Sequence, residues 1–152
     1  MSQENQSMDR KSILVLTGGL SGFQDLAKVC VAFANAAGGK LLIGIEDDSL
    51  VPSSEQRVQD SQVEYLRKRM PQLTVNVAVD ARKIIAANGG EYIELVVFPS
   101  KRSIAATSDG RYFIRVSDES RPLLPDELGR LTGEKTAYVW ETGAPKKTPQ
   151  QR

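Results

Sequence analysis

The feature that most constrains this chain is a covered helix that runs through two glycines straight into an apolar strand. Phe23, Leu26, Ala27, Cys30 and Ala34 recur at helical spacing, and Val31 and Phe33 widen that face. The spacing predicts a helix over about Phe23–Ala36 with most of its circumference covered. Gly38-Gly39 supplies the stop, because glycine tolerates the left-handed conformation at a helix end. Leu41-Leu42-Ile43-Gly44-Ile45 follows without polar alternation and reads as a strand buried on both sides.

The flanking segments extend this plan. Ile13-Leu14-Val15-Leu16 is a short apolar run that reads as a first buried strand, with Thr17–Gly22 as the loop leading into the helix. A second helix is expected over Glu55–Met70, with Ser53 or Ser54 as its N-cap and Pro71 as its terminator. Leu73, Val75, Val77 and Val79 alternate with polar residues, as do Ile93, Leu95 and Val97, so each set reads as a strand with one wet face. Asn88-Gly89-Gly90 is a turn between them. Asp109-Gly110 reads as the turn of a hairpin joining Ile104–Ala106 to Tyr112–Val116. Pro125-Asp126-Glu127-Leu128 opens a short last helix. The order β-α-β-α-β-β-ββ-α predicts one α/β (α+β) domain: a mixed sheet of about five or six strands, two main helices and a short C-terminal one. Residues 1–11 read as a flexible polar N-terminus, 12–141 as the domain and 142–152 as a linker or tail.

Composition narrows the function. The chain has 152 residues, enough for one domain, and carries 20 basic against 19 acidic groups. Wholesale basicity is absent, so any nucleic-acid surface must be local. Histidine is missing and cysteine occurs once, at Cys30. That removes Ser-His-Asp and Cys-His catalysis, and every His-containing or Cys-rich zinc site. No apolar run approaches the roughly 20 residues of a membrane span. A cytoplasmic domain with no membrane partner is the expectation.

Two segments resemble a known family. Ala32-Phe33-Ala34-Asn35-Ala36-Ala37-Gly38-Gly39 followed by Leu41–Asp48 is similar to the AFANxxGGxLxIGxxDD core of the Schlafen AlbA-type domain. That family is also described as a DNA-binding domain or as divergent AAA. Tyr112-Phe113-Ile114-Arg115-Val116, with Pro125-Asp126-Glu127-Leu128 further on, resembles its C-terminal segment. The resemblance runs from about Leu14 to Trp140. It implies the N-terminal module of a longer bacterial protein, of the transcriptional-regulator or helicase-related kind. It implies non-catalytic nucleic-acid binding, DNA ahead of RNA, with no cofactor. The alternatives are an ATP-binding module and a structural or dimerising one, the latter forming a homodimer. Members usually carry an acidic ExxxxEFK pattern on the first strand, which some use with an aspartate after the second strand as a metal-dependent nuclease site. Matched to Ile13–Gly19, that pattern has no carboxylate and no lysine here. No nuclease activity is therefore expected.

Each candidate residue has two readings. Asn35, Gly38 and Gly39 are either a helix exit open to phosphate or a C-cap turning into the next strand. Thr17–Gly22 lacks the spacing and lysine of a P-loop, and its Gly19-Leu20-Ser21-Gly22 is a GXXG in the wrong context. Asp47-Asp48 is a possible metal or polar site at a strand end, or ordinary turn chemistry. Arg67-Lys68-Arg69, Arg82-Lys83, Lys101-Arg102, Arg111 and Arg121 are candidates for phosphate contact or for a solvated mixed-charge surface. Arg115 alternates with Phe113 on a strand, so it is either an outward contact to base or phosphate or an inward group that needs Asp118 or Glu119. Cys30 reads as a small core residue.

Overall fold

The computed structural model describes residues 7–46 and 49–142. Its main sheet has four strands: β1 (Met8–Lys11), β2 (Gly39–Ile43), β4 (Val79–Ile85) and β5 (Glu91–Val97). They lie in the order β1-β2-β5-β4, with β1 parallel to β2 and the other pairs antiparallel. Successive strand residues face opposite ways. Register therefore puts Leu41 and Ile43 beside Leu95 and Ile93, with Ala81 next in line, and all are fully buried. α1 (Gly19–Asn35) and α2 (Asp60–Leu73) supply the other half of that core through Leu26, Val31, Phe33, Leu66 and Met70. The opposite face of the sheet is half covered. There Glu94 sits between Lys40 at 3.5 Å and Arg82 at 2.8 Å, while Leu42 is only half-buried, so β2 is wet on one side.

Two smaller pairs complete the sheets. β3 (Thr74–Val75) pairs with β6 (Ala106–Thr107), and β7 (Phe113–Val116) pairs with β8 (Glu119–Pro122) across Ser117-Asp118. α1 is clasped between the main sheet and the β7–β8 hairpin, which explains why it is apolar nearly all round. α3 (Pro125–Thr142) closes the described chain. Glu127, in its first turn, accepts from the backbone N–H of Leu124 at 3.1 Å and pairs in a fork with Arg121. Among the described residues no helix is long and apolar enough to cross a membrane.

This is the expected mixed α/β (α+β) domain, with differences in its parts. Ile13–Leu16 is not a strand: Ile13–Thr17 is a 3-10 turn, capped by Ser12, with no fully buried residue. The first strand is instead the polar Met8–Lys11, at the end of the segment expected to be flexible. Gly19–Gly22 is the first turn of α1, not a loop. α2 starts five residues later than expected because Gln56 is drawn to the sheet end, where its amide donates to the carbonyls of Gly44 (2.9 Å) and Glu91 (2.7 Å). Its cap is the reciprocal Gln59–Gln62 pair, and Pro71 lies inside its last turn. Asp109-Gly110 does form a turn, yet the strands on either side pair elsewhere, β6 with β3 and β7 with β8. The closing helix, expected to be short, has 18 residues and is the longest among the described residues.

Candidate nucleic-acid interface

The helix-exit motif works by holding a loop. Asn35 is buried, and its side-chain amide donates to the carbonyls of Ala105 and Phe113, both at 2.9 Å. Its carbonyl oxygen accepts from the Ala105 N–H at 2.8 Å. These hydrogen bonds satisfy backbone groups that would otherwise be buried without partners, and they commit the side chain to the fold. Gly38 has φ +81°, and a Cβ there would lie 2.8 Å from the Val97 carbonyl oxygen and 2.9 Å from Pro99 Cδ. Gly39 lies so close to Phe33 that a Cβ would stand 2.5 Å from the ring. Neither glycine presents an open backbone to a phosphate: Gly38 is buried and Gly39 is packed on Phe33. Ser100 N–H donates to Ala34 at 2.8 Å, and Ser100 Oγ to Ser103 at 2.7 Å. The motif thus pins both ends of the segment from Phe98 to Ala105.

That segment borders a cleft of about 580 Å³. Phe98, Ser100, Lys101, Arg102 and Ser103 line it, together with Thr74, Asn76, Pro71 and Tyr138 of α3. Lys101 Nζ stands 5.9 Å from the centre of the Tyr138 ring. Phe98 is 49% exposed. Among the described residues no acidic side chain lines the cleft. α3 is anchored at its edge by buried Lys135, which donates to the Ser100 carbonyl and whose pKa is lowered by burial.

A second cleft, of about 530 Å³, is lined by Asp9, Arg10, Lys11, Asp25, Lys28, Arg115, Asp118, Glu119 and Ser120 among others. Here basic and acidic groups balance. Arg115 is its floor. Nη1 donates to Asp9 Oδ2 and Ser120 Oγ, both at 3.1 Å, and Nη2 to the Met8 carbonyl at 3.2 Å. The guanidinium carbon lies 4.9 Å from the centre of the Phe33 ring. Phe113 and Arg115 both point inward, so the inward alternative holds. The acidic partner is Asp9, 106 residues away, and not Asp118 or Glu119.

A family model described as "Schlafen, AlbA_2" matches residues 4–124. The chain belongs to the Schlafen AlbA_2 family. No curated protein matches it. Among solved structures it is similar to the crystal structure of the DIP2311 protein from Corynebacterium diphtheriae, with a TM-score of 0.59 and 21% identity. That similarity, which is one of fold, covers 86% of this chain and 24% of the other. Membership of the AlbA_2 family suggests a nucleic-acid-binding domain.

The observed first strand also moves the segment to which the family's acidic pattern is matched. The first strand is Met8–Lys11, so Asp9-Arg10-Lys11 stands where the pattern has E-F-K, with Glu4 at the spacing of its first glutamate. Glu4 lies outside the described residues. The carboxylate and lysine missing from Ile13–Gly19 are therefore present one element earlier, and the ground for expecting no nuclease activity falls. Asp9 itself is engaged: besides Arg115, it accepts from the Arg10 N–H at 2.7 Å. Asp47 and Asp48 also lie outside the described residues. Among the described residues no three His, Cys, Asp or Glu side chains converge as metal ligands.

The remaining sequence candidates divide. Arg67 is already paired with Glu64 and with Asp80 at 3.4 Å, and Arg69 donates to Gln72 at 2.9 Å. Lys68 and Arg69 sit on the turn of α2 just before Pro71, which lines the acid-free cleft. Lys101 and Arg102 are in that cleft. Phe98, Asn76 and Tyr138 do not stand out in the sequence. An aromatic three residues before a Lys-Arg pair is the one available signal, and Tyr138 is brought in only by tertiary folding. Cys30 is fully buried, its thiol pushed up to about 12 by burial, as befits a core residue.

Proposed function

We propose that this domain binds nucleic acid, DNA ahead of RNA, as one non-catalytic module of a larger regulatory polypeptide. The sugar–phosphate backbone lies in the cleft bordered by Phe98–Ser103 and α3. What supports this most is the lining of that cleft, which among the described residues has two cations, two aromatic rings and no acidic side chain. Phosphate binding by Lys and Arg releases counterions and gains from the absence of competing carboxylates. The interactions are chiefly with the nucleic-acid backbone, with little base reading. Lys68 and Arg69, beyond Pro71, extend the track. The ATP-binding alternative has less behind it, because Thr17–Gly22 lacks the spacing and the lysine of a P-loop.

The test is a binding titration at several salt concentrations. Lys101→Ala with Arg102→Ala should lower affinity about tenfold at low salt. It should also flatten the slope of log K against log salt by between ~1 and 2, since each phosphate no longer neutralised takes away about 0.7–0.9. The melting temperature should hold, since both side chains are exposed. An unchanged affinity and slope would remove the cleft from the interface.

A further inference from the structure

The two clefts differ in more than charge. The acid-free one also presents aromatic surface, and this bears on the form of nucleic acid it accepts. We infer, building on the proposed function, that the cleft takes a single-stranded segment, with one base stacked on Phe98 and the adjoining phosphates on Lys101 and Arg102.

Four observations converge on this. Phe98 is half exposed at the cleft wall, so its ring is accessible to a ligand. Its backbone is fixed, because its N–H donates to Ala78 at 3.0 Å and the neighbouring Ser100 is tied to Ala34. The ring is thus presented by a preorganised loop. Tyr138 lines the same cleft with Lys101 over its ring, so cation and aromatic surface are adjacent. Asn76 has φ 63° and donates its amide to the Ile104 carbonyl at 3.0 Å. That bond fixes the side chain at the cleft floor, with its carbonyl oxygen left as an acceptor for a base N–H.

A duplex cannot stack on Phe98, because its bases are stacked on one another and show no π-face outward. A cleft of about 580 Å³ is of the size that encloses small-molecule groups, not a helical cylinder. A single strand has splayed bases, and every base has a face to stack, so binding is tolerant of sequence. The polar cleft over Arg115 offers neither an acid-free lining nor an exposed ring: Phe113 beside it is buried.

The experiment compares a fluorescent single-stranded oligo-dT of ~12 nucleotides, a length within the site sizes of single-strand binders, with the dT·dA duplex of equal length. Fluorescence anisotropy is read on wild type, Phe98→Ala, Phe98→Tyr and the Lys101→Ala, Arg102→Ala double variant. The single strand should bind at least about tenfold tighter than the duplex. Phe98→Ala should lower single-strand affinity by about tenfold, the scale of one stacked base, and leave duplex affinity unchanged. Phe98→Tyr should restore it. The double variant should weaken both forms. Equal binding of duplex and single strand, or indifference of the single strand to Phe98→Ala, would overturn the single-strand assignment. The proposed function would then stand if the double variant still weakens both. If wild type binds neither form at low salt, the proposed function fails and this inference with it.

Discussion

The clefts over Arg115 and beside Phe98 are nearly equal in volume and each contains strong cations, yet they are built to opposite ends. Over Arg115 the cations are answered within the protein. Asp9 and Ser120 take Nη1, Met8 takes Nη2, and Phe33 lies beneath. Beside Phe98 the cations have no carboxylate among their cleft neighbours, and the aromatic surface is half open to water. An arginine whose charge is neutralised internally organises a fold, whereas a pair of exposed cations without acids is a surface awaiting anions. Counting basic residues does not separate the two cases. The location of the nearest carboxylate does.

The sharpest way to break this contrast is to remove that carboxylate. Asp9→Ala removes the carboxylate that Arg115 Nη1 holds in a buried setting, a loss of up to about 3–5 kcal/mol. Urea denaturation should show it as a large fall in midpoint, and Arg115→Lys, which keeps charge but loses the fork, should also melt lower. Nucleic-acid affinity of the folded protein should be unchanged in both. A variant with native stability and weakened binding would make the Arg115 cleft the interface.

Asn35→Ala has the next effect. It orphans backbone groups at Ala105 and Phe113, each worth about 1–3 kcal/mol when buried without a partner. Because the same bonds pin the cleft loop, hydrogen exchange should accelerate from Phe98 to Ala105, and affinity should fall although Asn35 does not line the cleft. Faster exchange with unaltered affinity would uncouple the motif from the cleft.

These two variants also mark how far sequence carries. The run from α1 through Gly38-Gly39 into β2 was legible because helical period, glycine stop and apolar strand are all local signals. β1 was not, since Met8-Asp9-Arg10-Lys11 looks like a solvated segment until Arg115 is placed against it. The apolar run Ile13–Leu16 took its place as the apparent strand, but Ser12 caps it into a 3-10 turn, with Ser12 Oγ accepting from Leu14 at 3.1 Å. The same limit governed the site. Lys101-Arg102 could be seen as a charge pair, Arg115 as a special arginine, but Tyr138 and Asp9 are reached only across the fold. Proximity in sequence pointed to Asp118 and Glu119, and chain distance proved a poor guide to ion pairing.

Replacing Arg67, Lys68 and Arg69 together with Ala should have a smaller effect, about two- to threefold on affinity, because Arg67 is already shared between Glu64 and Asp80. A loss of tenfold or more, with the salt slope flattened, would move the main phosphate track from the loop to α2.

At the lower limit, incubation of single-stranded DNA or RNA with Mn²⁺ should leave the substrate intact, since Asp9 is held by Arg115 and by the Arg10 amide. Cleavage that disappeared in Asp9→Asn would turn the polar cleft into a reaction centre and invert the contrast altogether.

The Asp9–Arg115 pair has a further consequence for how the domain is made. Its two halves are separated by 106 residues, and the Asn35–Phe113 bond spans 78. During synthesis β1 emerges first, carrying a carboxylate that cannot be buried until its guanidinium follows. At about 5–20 residues per second that interval lasts several seconds or more. Until then the face of α1 turned away from the main sheet has no β7 to close over it. The domain should therefore complete its core in one late event, after the ribosome has passed Arg115, and it should be a slow folder for its size, because long-range closure must precede its reward. Nascent chains stalled before that point would expose the AFAN helix and its strand to chaperones, and stalls beyond it would release a protease-resistant fold.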